Sequence, residues 1–142
     1  MLGSNFNPEK HIELAKEKIS ELYEIESVSS EIITKPHGKN YKSDFRNQAI
    51  KLLSDDILDD TRSTMKQIEK DLGRLPDSKK TGIIPIDIDI IIWNDQTIHK
   101  DYERFDFVRK CINEISWSTI RFNLKSGIDQ FQIENLYICV LS

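Results

Sequence analysis

The chain has 142 residues, 38% of them hydrophobic and 31% charged, with a formal net charge of −4. That length supports one core and not two, and the acidic balance argues against nucleic acid, whose phosphates call for a basic surface. Cys111 and Cys139 form no CxxC or Cys/His cluster, no apolar run approaches the ~18 residues of a membrane span, and the start "MLGSNFNPEKHIELAK" lacks a signal-peptide core. A cytoplasmic chain with free thiols and no membrane partner is expected.

Asn7 and Pro8 have the character of an N-cap and first helical residue, and Ile12, Ala15, Ile19 and Leu22 follow at helical spacing, which predicts a helix over about 8–23. "EIESVSSEIIT" (24–34) is rich in β-branched residues and predicts a strand, followed by the turn-rich loop "KPHGKNYKS". In "DFRNQAIKLL" (44–53) Phe45, Asn47 and Ala49 share one side and Gln48, Ile50 and Leu52 the other, so a second strand pairs with the first. Ser54 is a candidate cap for a helix with the inward stripe Leu58, Met65, Ile68 and Leu72, ended by Gly73. After the polar loop "RLPDSKKTG" comes the strand "GIIPIDIDIIIW" (82–93). A third helix over "DYERFDFVRKCINEIS" has the stripe Phe105, Val108, Ile112 and Ile115, and "STIRFNL" and "IENLYICVL" both have strand character. This order implies an α+β architecture, with helices packed on one face of a mostly antiparallel sheet. A single domain over 1–142 is expected, with 116–142 an atypical C-terminal extension containing strands.

Asp87 and Asp89 carry the chemistry. Side chains at i and i+2 of a strand point the same way about 6–7 Å apart, so both carboxylates face one target at a strand end open to a cleft. Ile86, Ile88, Ile90 and Ile92 fill the other side. Neighbouring carboxylates repel unless a cation or a shared proton relieves them. An oxygen-rich carboxylate site with room for phosphate oxygens suits Mg²⁺; the alternative is a solvated strand end.

The pieces "LGSN" (2–5), "SVSSEIITKPHG" (27–38), "FRNQAI" (45–50), "IEKDLGR" (68–74) and "GIIPIDIDIIIW" follow one another in an order and spacing that resemble the 6-hydroxymethyl-7,8-dihydropterin pyrophosphokinase family, with a fainter continuation in "FDFVRKCINEI" (105–115). The resemblance implies a ferredoxin-like fold and transfer of pyrophosphate from MgATP to the pterin hydroxymethyl group, releasing AMP, in folate biosynthesis. It implies that Asp87 and Asp89 hold two magnesium ions and that Asn47 hydrogen-bonds the pterin while Phe107 stacks on it. Thr34, His37 and Phe45 fall at further pterin positions, and Glu69 and Arg74 near the nucleotide, Arg74 also among the catalytic groups. Pterin and ATP are the implied partners.

Three departures stand out. Pro76, Thr81 and Ile84 stand where the family carries arginine, tryptophan and arginine, leaving Lys79 and Lys80 as the cations of that loop. After Trp93 the connection is short, and His99, Lys100 and Arg104 are the available triphosphate groups. These changes keep open an alternative: a degenerate pterin-binding or ferredoxin-like binding module without pyrophosphokinase activity. Lastly, only Met1 and Leu2 precede "GSN", where the family has a buried strand. Residues 135–141, with Tyr137, Cys139 and Leu141 alternating against Leu136, Ile138 and Val140, are expected to fill that slot. They would do so within a monomer or by strand exchange in a homodimer, the alternative being an added edge strand.

Overall fold

A computed structural model describes residues 1–126 and 136–139, with side chains followed to residue 116. Its elements run β1 (Leu2–Ser4), α1 (Pro8–Ser20), β2 (Glu24–Val28), β3 (Ile32–Thr34), β4 (Phe45–Gln48), β5 (Ile50–Leu53) and α2 (Leu58–Asp71). They continue with α3 (Ser78–Thr81), β6 (Asp87–Ile88), β7 (Ile90–Trp93), β8 (Gln96–Thr97), α4 (Asp101–Arg104), α5 (Asp106–Ser126) and β9 (Leu136–Cys139). All strand pairs are antiparallel, in the orders β3-β4-β1-β6 and β2-β5-β9-β7-β8. One residue separates β4 from β5 and one separates β6 from β7, so the two ladders follow one another along the same strands. Helices pack against them, an α+β fold.

The expected slot-filling strand lies inside the sheet. β9 pairs with β5 on one side and β7 on the other. Along the neighbouring strand Leu2 faces Gln48 and Cys139 faces Ile50, so β9 and β1 occupy one slot end to end and run the same way. Within this chain the edge-strand alternative is therefore corrected. Residues 135, 140 and 141 of the expected segment lie outside the described residues.

The core gathers the isoleucines of the DxD strand with Met1, Leu2, the inward faces of α1 and α2, and Val108, Cys111, Ile112 and Ile115 of α5. Several local expectations are corrected. α1 stops at Ser20, so Leu22 falls beyond it and is 60% exposed, while Tyr23 is buried in its place. Asn7 sits at the N-cap with φ 43 and makes no side-chain cap bond. Ser54 does not cap α2; its hydroxyl accepts from the Asp56 N–H in the preceding turn, and Ile57 stands at the N-cap. The predicted third helix breaks at Phe105, whose backbone is extended (φ −125, ψ 122). "STIRFNL" lies in the helix α5 and not in a strand: no glycine or proline interrupts 106–126, and propagating an existing helix outweighs the weak strand preference of a few β-branched residues.

Candidate active site

A single row across adjacent strands sets the floor of the site. Ile32 faces Asn47, Asn47 faces Gly3, and Gly3 faces Asp87. Directly opposed residues project to the same face, and strands lie about 4.8 Å apart, so Asn47 and Asp87 stand roughly 10 Å apart with a residue lacking a side chain between them. Asn47 and Asp87 both line a cavity of 390 Å³, together with Thr34, His37, Phe45, Asp89, Phe107 and others.

At one end the walls are aromatic. Phe105 and Phe107 stack at 5.4 Å between ring centres, and His37 lies 4.7 Å from Phe105. Tyr41 meets Phe45 edge to face at 5.3 Å. Asn47 is 1% exposed. Its Nδ2 donates to Thr34 Oγ1 at 2.9 Å, which fixes the amide plane, and its Oδ1 is buried with no hydrogen-bond partner among the described residues. An orphaned buried acceptor costs about 1–3 kcal/mol, and a ligand N–H would relieve it.

The other end is acidic, and its shape follows from α2. Gly73 (φ 97) closes that helix in a left-handed cap, where Gly73 N–H bonds Lys70 O and Arg74 N–H bonds Glu69 O. This turn sends Arg74 back to the sheet, where its Nη1 donates to Ile86 O at 3.0 Å and lies 3.3 Å from Asp87 Oδ1. About two helical turns earlier, Lys66 Nζ lies 2.8 Å from Glu69, 3.6 Å from Asp89 and 4.0 Å from Asp87. Burial pushes Asp87 up from 3.8 to about 7, and the Asp89 charge adds to the push while Arg74 opposes it. Burial works against the Lys66 ammonium, but its bond to Glu69 and the charges of Asp89 and Asp87 outweigh that and raise it. With Glu69 included, three carboxylates stand against two cations here, Lys66 and Arg74. Asp87 and Asp89 both offer hard carboxylate oxygens facing one cavity, which is a fit for Mg²⁺.

Of the residues singled out from sequence, Asp87, Asp89, Arg74, Asn47, Phe107, Phe45, Thr34, His37, Lys79, His99 and Arg104 all line this cavity. Glu69 and Lys80 are not among its lining residues. Glu69 is 4% exposed, and its carboxylate is engaged by Lys66 and by the Ile88 N–H at 2.5 Å, on the outer edge of β6. Thr81 and Pro76 are exposed and Ile84 is buried, so among those three none brings a cation to the cavity. Lys79 enters it because Gly82 (φ 73) folds the loop against residues 40–41, where Asn40 Nδ2 donates to Lys79 O at 3.3 Å. A Cβ on Gly82 would lie 2.0 Å from Asn40 O. The Asn5 amide ties the same loop to β1, donating to Gly82 O and accepting from Ile84 N–H.

Sequence reasoning missed Lys66, Tyr41, Lys35 and Asp101, and placed Phe105 on a helical core stripe when it belongs to the cavity wall. Lys66 carried a usable signal: it precedes Glu69 by three residues and so shares its helix face. Lys35, Lys66, Arg74, Lys79, Lys100 and Arg104 against Asp87, Asp89 and Asp101 give the cavity a basic surplus within a chain of net charge −4.

The family model described as 7,8-dihydro-6-hydroxymethylpterin-pyrophosphokinase (HPPK) matches residues 1–117. The 2-amino-4-hydroxy-6-hydroxymethyldihydropteridine pyrophosphokinase of Aquifex aeolicus (strain VF5) is 29% identical over 152 aligned positions, covering 99% of this chain and 94% of that protein. With carboxylates, aromatic wall and matched length agreeing, the chain belongs to the 7,8-dihydro-6-hydroxymethylpterin-pyrophosphokinase family.

Proposed function

We infer that the chain transfers pyrophosphate from MgATP to 6-hydroxymethyl-7,8-dihydropterin and releases AMP, a step of folate biosynthesis. Family membership supports this, and the observation that carries it is one cavity joining an aromatic end with an orphaned amide oxygen to a carboxylate pair. Members of this family use ATP and magnesium. We assign two magnesium ions to Asp87 and Asp89, supported by two carboxylates facing one cavity, of which Asp87 is raised by burial first and by the Asp89 charge second. Bound there, magnesium would neutralise phosphate charge as it shifts between oxygens.

The chain's own residues have distinct tasks in this assignment. Asn47 Oδ1 accepts from an N–H of the pterin, and Thr34 holds the amide that presents it. Phe107 and Phe105 offer ring faces to a planar heterocycle, with His37 and Phe45 closing the sides. Arg74, Lys79, His99 and Arg104 face the triphosphate as cations or hydrogen-bond donors. Glu69 positions: it anchors Lys66 and the Ile88 N–H between the two aspartates. Lys80 is exposed and is not among the lining residues. A binding module without chemistry is disfavoured by the convergence of carboxylates and basic groups beside the aromatic end.

The same assignment treats 1–142 as one domain, supported by β9 lying between β5 and β7. It places the enzyme in the cytoplasm, which fits buried Cys111 having no disulfide partner among the described residues; no helix among them is long and apolar enough to cross a membrane. Incubation with MgATP and the hydroxymethyl dihydropterin should yield AMP and the pterin pyrophosphate in equal amounts. Release of ADP, or no turnover, would contradict it.

A further inference from the structure

Beside the Asp87 pair a different ligand set converges on the same wall. One ligand atom each from Asp89, His99 and Asp101 lie within 4.8 Å of one another. Asp101 is 5% exposed and lines the cavity. Among the described residues no hydrogen bond is seen at its side-chain oxygens, and the His99 imidazole stands beside it, with Nδ1 at 3.7 Å from Oδ2. A carboxylate at a cavity wall is stabilised by a cation that meets it. The Asp101 N–H donates to His99 Nδ1 at 3.2 Å, so that nitrogen presents a lone pair, which a metal would take over in place of the N–H.

We propose that Asp89, His99 and Asp101 form a further divalent cation position, for a transition ion that accepts an imidazole nitrogen, of the zinc or cobalt class. Magnesium favours an all-oxygen shell of near-octahedral geometry, whereas imidazole suits ions of borderline softness. Tetrahedral ligands about 2.1 Å from an ion lie roughly 3.4 Å apart, so these three atoms must draw in by about an ångström. His99 lies between β8 and α4, and no regular element restrains it. Three protein ligands leave one position for water or a phosphate oxygen. Asp89 has two carboxylate oxygens and can serve this ion and a magnesium ion together. The position stands independently of the pyrophosphokinase assignment, because its three ligands come from the protein alone and need neither nucleotide nor pterin.

Cobalt is a suitable probe, added to the full chain without nucleotide in millimolar magnesium. One Co²⁺ should bind per chain by calorimetry, with the His99→Gln and Asp101→Asn variants at least about tenfold weaker and Asp87→Asn changed by less than about threefold. With Zn²⁺, the imidazole NMR signals of His99 should shift while those of the other two histidines, His11 and His37, stay put. Loss of Co²⁺ to magnesium competition, equal binding by wild type and the His99 variant, or shifts confined to His11 or His37 would overturn the proposal. Should Asp101→Asn fail to fold, the His99 variant, at a partly exposed loop position, decides alone. AMP formation assayed with magnesium as the sole metal separates failure here from failure of the enzymatic assignment.

Discussion

At the aromatic end of the cavity Asn47 Oδ1 is left without a donor, whereas at the acidic end cations already stand against the carboxylates, Arg74 against Asp87 and Lys66 against Asp89. The contrast follows from what each kind of group tolerates. A neutral amide oxygen can stay unsatisfied for about 1–3 kcal/mol. Two neighbouring carboxylates cannot be buried without counter-charge or a proton. The aromatic end therefore offers an acceptor with no partner of its own, and the acidic end is held together by protein cations that a metal bound there would displace.

The largest expected effect breaks the acidic end. Replacing Asp89 by alanine removes the oxygen pair that Asp87 needs to hold two ions, and turnover should fall by about 10³-fold or more, with the far-ultraviolet spectrum unchanged. A loss below tenfold would make the carboxylates spectators. Removing residues 133–142 takes out β9, and with it the ladder partners of β5 and β7; the melting temperature should fall by more than about 10 °C. An unchanged melting curve would show that β9 does not fill the slot.

At the aromatic end, Asn47→Ala should raise the KM for pterin by about 10–100-fold while that for ATP moves little. Steady-state titration of each substrate checks this, and equal changes in both would erase the contrast between the ends. The smallest effect is the pH response of the metal-free protein. Asp87 holds its proton to about pH 7 in the fold against 3.8 when unperturbed, so the folded state binds a proton that the unfolded chain has already lost. Its contribution to stability is full below about pH 4 and is lost as pH rises through 7. Wild type should lose a few degrees of melting temperature between pH 5 and 8 relative to Asp87→Asn, and saturating magnesium should remove the difference.

These two ends were also unequally legible in the sequence. The period-2 pattern placed both aspartates on one face, because strand geometry leaves little choice of direction. Asn47 and Phe45 were readable the same way. Asp101 was not, since it reaches the site through the docking of α4, which no local pattern specifies, and Lys66 was legible only through its shared helix face with Glu69. Phe105 was misread because helical spacing continues through it, and only the break before α5 turns it to the cavity. β9 was legible as an apolar alternation with nowhere else to go, yet "STIRFNL" with similar composition is helical. Short β-branched runs take their conformation from what they dock against.

The central claim is that Asp87 and Asp89 hold magnesium against the phosphates of ATP. A crystal structure with magnesium and a non-hydrolysable ATP analogue tests it most directly. Two ions should lie about 2.1 Å from oxygens of both aspartates and of the phosphate chain, with Lys66 and Arg74 drawn off the carboxylates. Ions held by the nucleotide alone, with Lys66 and Arg74 still in place against Asp89 and Asp87, would contradict it.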